Sequence, residues 1–410
     1  MSQTTALPSE RPTRAAIPTG FRLDSLTGLR FVAAGVVFLA HIGTTSYFAN
    51  QGINAGLFRA FSHAGPAAVT FFFVLSGFVM TVSIRSDDTP WRFIRRRMVK
   101  IFPNHLVTFV VAAFLFGAAF TVGRAIPNLF LLQAWFPQVE TFFSVNPVAW
   151  TLSCELLFYL LFPFIYPALS RIRPDRLWRW MVGVVVGIVG MWVIATTLIP
   201  ATPALSFPPF PIGLYQYWFV YILPPVRLLE FVLGIIMARI VISGRWINVG
   251  MGPCVLLALG GLALTDQAPP LLALSAIMAA PMALLVAATG WTDLTGQPSS
   301  MRKPAWVFLG ELSFAFYIVH GLVLFGTRPF LGVTNFFSVP AGIGLIVLAF
   351  FVSLFLAFLL YRFVEAPMVR RFSSPRRRTP APVGRSEPGG FLPRPVPHPG
   401  ATPDRVSVTR

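Results

Sequence analysis

The chain has 410 residues, 55% of them hydrophobic and only 11% charged, with a mean hydropathy of +0.72. An ordinary soluble domain carries about 25% charged residues, so a water-soluble globular protein is excluded. The net charge of +18 suits nucleic-acid binding or attraction to anionic lipid, to be decided by where the charges sit, and two cysteines, Cys154 and Cys254, both in apolar segments, are too few for a disulfide framework or a thiolate metal site.

Residues 1–22 are polar and Pro-containing, without a basic patch leading into a short apolar run and a cleavage site. They read as a disordered cytoplasmic N-terminus ahead of a retained first span. Long apolar stretches then recur at 27–47, 66–85, 104–123, 149–169, 180–199, 218–241, 250–265, 271–291, 306–327 and 340–363. Most approach the ~20 residues a helix needs to cross the hydrocarbon core. A bilayer admits only helices or closed barrels, and no alternating segments of about ten residues suggest a barrel. The predicted fold is therefore all-α, a polytopic bundle of about ten transmembrane helices. The run 128–136 is too short to cross and is followed by Pro137, which makes it re-entrant or interfacial. After Phe372 the chain turns Pro-, Arg- and Ser-rich, and 368–410 reads as a disordered basic cytoplasmic tail beside anionic headgroups.

Ten crossings with both termini cytoplasmic satisfy the positive-inside rule. The inner segments then hold Arg11, Arg14, Arg22, Arg85, Arg92, Arg95, Arg96, Arg97, Lys100, Arg171, Arg173, Arg176, Arg179, Arg239, Arg245, Arg302 and Lys303, whereas the outer loops hold only Arg59, Arg124 and Arg328. The positive charge is mainly a topology signal, so no nucleic-acid partner is expected, and the multi-pass chain belongs in the plasma (cytoplasmic) membrane.

An ionisable group inside a span is costly and is by default a functional hypothesis. Arg30 and His41 lie eleven residues apart in the first span, close to three full turns and about 16 Å along one helix face. Arg30, near the cytoplasmic end, can hold phosphate, and His41, in the outer half, can take a proton from a hydroxyl. Read singly, Arg30 also fits an interfacial snorkelling residue and His41 a core imidazole bonded to another helix. The fourth span carries Trp150, Ser153, Glu155 and Tyr159, with Glu155 placed near the depth of His41, where it could orient the imidazole. Arg227 and Glu230 in the sixth span can pair at i,i+3, and the ninth span carries Glu311, Ser313, Tyr317 and His320. The cluster Arg95, Arg96, Arg97 and Lys100 is ordinary inner-loop charge that also suits a polyanionic cytosolic ligand such as coenzyme A. Gly77 and Gly234 suit close helix approach.

The string LDSLTGLRFVAAGVVFLAH, with Arg30 and His41 in it, resembles the opening of the membrane-bound acyltransferase-3 family of O-acyltransferases. The resemblance continues in order through FFVLSGF at 72–78, RRRMVKIFP at 95–103, NPVAWTLSCELLFYLLFP at 146–163, RLLEFVLG at 227–234, GELSFAFYIVH at 310–320 and VEAP at 364–367. It covers 23–367. It implies about ten spans and esterification of hydroxyls on cell-surface glycans, lipids or secondary metabolites such as a macrolide. Acyl-CoA would be the co-substrate, with no permanently bound cofactor. Arg30 and His41 match the family's essential pair, 95–100 its cytoplasmic arginine motif, and Glu155 its fourth-span acid. Two departures stand out: Thr70 occupies a position often acidic in the family, and no soluble hydrolase-like domain follows the spans.

The expected chemistry is acyl-CoA held on Arg30 and the 95–100 cluster, with His41 either acting as general base on the acceptor hydroxyl or becoming transiently acylated, and Glu155 holding its tautomer. Trp150, Ser153, Arg227, Glu230, Tyr317 and His320 are the expected supporting residues. Intramembrane arginine and histidine also suit a carrier or flippase for an acylated or glycosylated lipid, although no inverted repeat of broken helices is evident. A non-catalytic scaffold would tolerate loss of Arg30, His41 and Glu155 together.

Overall fold

A computed structural model of the chain describes residues 22–85, 88–116, 121–207, 210–332 and 336–373. The N-terminal segment and nearly all of the tail lie outside the described residues. The helices are α1 (Asp24–Thr45), α2 (Gln51–Phe61), α3 (Ala64–Val82), α4 (Pro90–Phe116), α5 (Val122–Leu129), α6 (Val139–Phe142), α7 (Trp150–Ser170) and α8 (Leu177–Leu198). A hairpin of β1 (Ala204–Phe207) and β2 (Phe210–Gly213) follows, then α9 (Leu214–Tyr217), α10 (Pro224–Ile242), α11 (Met251–Thr265), α12 (Pro270–Ala273), α13 (Ala276–Leu294), α14 (Pro304–Leu331), α15 (Val339–Leu360) and α16 (Ala366–Ser373). The described residues are almost wholly helical, with one short antiparallel strand pair among them, in the connection after α8. Helix α16 continues past the expected boundary at Pro367.

Among the described residues nine helical segments are long and apolar enough to cross a membrane. Helix α11, with 15 residues, reaches only about 22 Å at 1.5 Å per residue. It nonetheless runs from face to face. Before it, Trp246 stacks on Trp178 at the start of α8. At its other end Asp266 pairs with His63, which opens α3, at 3.1 Å. Among the described residues ten helices thus traverse the bundle, and the first and last share an end: Arg22 ahead of α1 and Tyr361 after α15 both bond Glu311 near the start of α14, at 3.0 and 3.1 Å.

Local chemistry sets the helix ends and crossings. The first amides of α1 have no intrahelical acceptor, and the buried Asp293 carboxylate at the end of α13 accepts from Ser25 N at 3.0 Å and Leu26 N at 3.1 Å, while Arg302 neutralises it. Helices α3 and α10 touch backbone to backbone, as Gly77 and Gly234 suggest: a methyl at Gly77 would overlap the Phe231 carbonyl, and one at Gly234 the Val74 carbonyl.

Between α4 and α7, residues 128–149 pack one side into the bundle. Asn128, Leu131, Gln133, Ala134, Phe142 and Asn146 are all buried. Irregular backbone at that depth is tolerated because protein groups satisfy it. Trp218 Nε1 donates to the Ala134 carbonyl at 3.0 Å, Ser153 Oγ to the Leu131 carbonyl, and Gln133 Nε2 to the Ala149 carbonyl at 2.9 Å. Phe130, Leu132, Trp135 and Phe136 of the same run are exposed, so 128–136 packs one side against the bundle, as a re-entrant or interfacial segment does.

Candidate active site

A cavity of about 450 Å³ opens at the face shared by the first and last spans, where Glu311, Tyr361 and the exposed Arg370 line it. Arg30 from α1, Arg97 and Lys100 from α4, and Glu155 and Tyr159 from α7 form its walls, with Glu365 beside them. The acids are already engaged. Glu155 accepts from Ser76 at 3.2 Å and Tyr159 at 3.0 Å, Glu365 from Asn104 at 2.7 Å, and Glu311 from Arg22 and Tyr361. Arg97 reaches Ser83 at 3.1 Å and lies over the Phe93 and Tyr159 rings. Arg30 and Lys100 are hydrogen-bonded to none of the described residues. The cavity therefore presents cations whose donors are left for a ligand.

The basic cluster divides. Arg97 and Lys100 line the cavity, Arg95 is exposed, and Arg96 is held as a fork on Asp88, with both N–O distances 2.6 Å. Burial alone would push the Asp88 carboxyl up, but the Arg96 fork and the Arg85 amide outweigh it and hold the group below its ordinary value.

Deeper in, the cavity reaches Ser313, Leu152, Thr151 and Tyr317. Thr151 Oγ1 and the Tyr317 hydroxyl are 3.1 Å apart, and the Tyr317 ring stands edge-on to His320, centroids 5.6 Å apart. Beyond that ring His320 Nε2 lies 2.9 Å from His41 Nδ1, with the two imidazoles stacked. His320 is fully buried and His41 half-buried. Phe38, Phe316 and Phe325 surround the pair.

The structure brings Arg30, Arg97, Lys100 and Glu155 together and, separately, His41 and His320. It does not bring Glu155 to His41. The expected depth assumes that α7 begins at the outer surface, whereas the inserted segment ahead of it lets α7 begin inside the bundle, at the level of Tyr317. Glu155, about 6 Å further along the axis than Thr151, therefore falls beside Arg30.

The remaining candidates lie behind the cavity wall. Trp150 packs on Tyr221, and Ser153 anchors the backbone at Leu131. Arg227 pairs with Glu230 at 3.0 Å, with its guanidinium 5.1 Å from both the Phe73 and Tyr221 ring centroids. Thr70, where an acid is often found, donates to Glu230 at 3.0 Å, a contact a second carboxylate could make only if protonated. Ser76, Asn104 and Thr151 escape the sequence reading because isolated hydroxyls and amides in apolar helices carry no periodic signal. Glu365 was detectable as the acid of the 364–367 motif.

A family model described as an acyltransferase domain, Acyl_transf_3, matches residues 23–362. The chain belongs to this acyltransferase family. It is similar to "Acyltransferase MdmB" of Streptomyces mycarofaciens, 36% identical over 378 residues that cover 89% of this chain and 96% of that one. It also resembles "Exopolysaccharide production protein ExoZ" of Rhizobium meliloti (strain 1021), 28% identical over 331 residues, 78% of this chain and 95% of that one. A third relative, an "O-acetyl transferase" of Shigella phage Sf6, is 27% identical over 146 residues, 32% of this chain and 42% of that one. No solved structure matches the chain. The chain is accordingly a multi-pass membrane O-acyltransferase, and the matched region holds the histidine pair and all of the cavity's lining up to Tyr361, with Glu365 and Arg370 just beyond it.

Proposed function

We propose that this acyltransferase moves a short acyl group from acyl-CoA to a hydroxyl of a cell-surface glycan, lipid or secondary metabolite. One observation carries the reading: Arg30 and Lys100 face an open cavity with no hydrogen-bond partner among the described residues, and Arg30 shares its helix with His41 three turns away. The phosphates of coenzyme A supply acceptors for those unengaged donors, through charge-assisted hydrogen bonds. The arginine-rich face is the cytoplasmic one by the positive-inside rule, so the donor enters from the compartment that contains it. The acceptor meets His41 from the opposite, outer side, where that residue is the more exposed of the pair. Similarity to an exopolysaccharide production protein supports a glycan acceptor.

The cavity lining ends at Tyr317, so in the reaction that ring swings aside to let the thioester end meet His41. The acceptor oxygen bonds to the thioester carbonyl carbon as its proton passes to the imidazole. The carbon–sulfur bond then breaks, and the departing thiolate recovers the proton from the imidazole. The aromatic rings of Phe38, Phe316 and Phe325 around the pair limit the access of water that would compete for the thioester.

Calorimetry on purified protein in nanodiscs tests donor and chemistry separately. Arg30→Ala and Lys100→Ala should each weaken coenzyme A binding about tenfold or more, the loss of a charge-assisted contact. His41→Ala should bind coenzyme A normally yet not consume acetyl-CoA with any acceptor. No coenzyme A binding by the wild type, or wild-type turnover by His41→Ala, overturns the reading.

A further inference from the structure

We infer that His320 is a positioning residue that holds His41 in the Nδ1–H tautomer, leaving the Nε2 lone pair of His41 as the basic atom. The assignment begins at a backbone carbonyl. His320 Nδ1 lies 3.3 Å from the Phe316 carbonyl oxygen. A carbonyl oxygen only accepts, so the proton of that bond sits on His320 Nδ1, and the Nε2 of a neutral ring carries a lone pair.

That lone pair points at His41 Nδ1, 2.9 Å away, so His41 is the donor in the bond between the rings. The Phe38, Phe316 and Phe325 rings offer no competing acceptor. No carboxylate among the described residues bonds either imidazole, because Glu155 is turned to Ser76 and Tyr159. A neutral imidazole in water favours the Nε2–H form. The chain from the Phe316 carbonyl through His320 to His41 imposes the opposite form, and the role usually given to a carboxylate falls to a second imidazole.

The catalytic meaning of this tautomer rests on the reading of His41 as the base. The tautomer itself does not, and this makes the two separable. Long-range proton–nitrogen correlation on the full chain, labelled with 15N-histidine in micelles, reads the protonation of each ring nitrogen. His41→Gln and His320→Gln spectra assign the signals. His41 should be protonated at Nδ1 and bare at Nε2 in the wild type, and should revert to Nε2–H in His320→Phe.

Turnover of acetyl-CoA by His320→Phe should fall about 100-fold in kcat, the usual range for general-base assistance, while KM for the donor stays within about twofold. His320→Gln, whose amide oxygen can accept the Nδ1 proton of His41, should restore at least about a tenth of the wild-type rate. An Nε2–H signal for His41 in the wild type, or a tautomer unchanged in His320→Phe, overturns the inference. The expected tautomer in a wild type that consumes no acyl-CoA would support it while removing the reading of His41 as base.

Discussion

At the scale of single residues, the basic cluster is where sequence and geometry part most usefully. Arg95, Arg96, Arg97 and Lys100 are equivalent as positive charge, yet only Arg97 and Lys100 reach the cavity, because helix α4 turns their neighbours toward solvent or toward Asp88. Arg95→Ala should therefore leave coenzyme A affinity unchanged, whereas Arg97→Ala should weaken it about tenfold or more by loss of a charge-assisted contact. Titration calorimetry of the two variants side by side checks the division, and equal losses would mean that charge at the membrane face, not the cavity, holds the donor. Arg96→Ala belongs to stability instead. The Asp88 carboxyl lies below its ordinary value, so the stabilisation from the pair is fully present above the unfolded-state carboxylate pKa and is lost as pH falls through the lower folded-state value. The gap in melting temperature between wild type and Arg96→Ala should be largest near neutral pH and close in acid.

The Arg30–His41 relationship was legible because both residues lie on one continuous helix, where 3.6-residue periodicity converts spacing into direction. Glu155 was not, because its partner depended on the depth at which α7 begins. That depth is set by the inserted segment 128–149, held by side-chain-to-carbonyl bonds that leave no pattern in the sequence. The same holds for Thr151 against Tyr317, a contact between residues 166 positions apart.

At the scale of elements, two devices fix α1 and α3, two of the helices that carry the site. Asp293→Ala would strand the first amides of α1, buried beside Arg302, and should cost about 1–2 kcal/mol, the usual size of a lost N-terminal cap. Gly234→Ala places a methyl against the Val74 carbonyl, and the backbones of α3 and α10 must part to admit it, at about 1–3 kcal/mol. Differential scanning fluorimetry in a mild detergent reads both. The second should also reduce turnover, since α3 carries Phe72, Phe73 and Ser76 into the cavity wall, so a stable and fully active Gly234→Ala would show that the wall tolerates a shift of α3.

At the scale of the molecule, the open question in the sequence is parity, and α11 decides it. Fifteen residues span about 22 Å, short of the ~30 Å hydrocarbon core, so length alone would leave nine crossings and put the ends of α1 and α15 on opposite sides. Yet Arg22 and Tyr361 meet on Glu311, and this demands an even number. A short helix can cross where the bilayer thins or flanking polar residues reach the interface, and Asn248 and Gln267 flank α11 as exposed residues that report on its two ends. The native Cys154 and Cys254 are buried and should label weakly. In intact cells a membrane-impermeant maleimide should label Gln267→Cys directly, and Asn248→Cys only after permeabilisation. Labelling of both from outside would mean that α11 does not cross. The shared face of α1 and α15 would then be lost, and with it the cytoplasmic mouth through which the donor is proposed to enter.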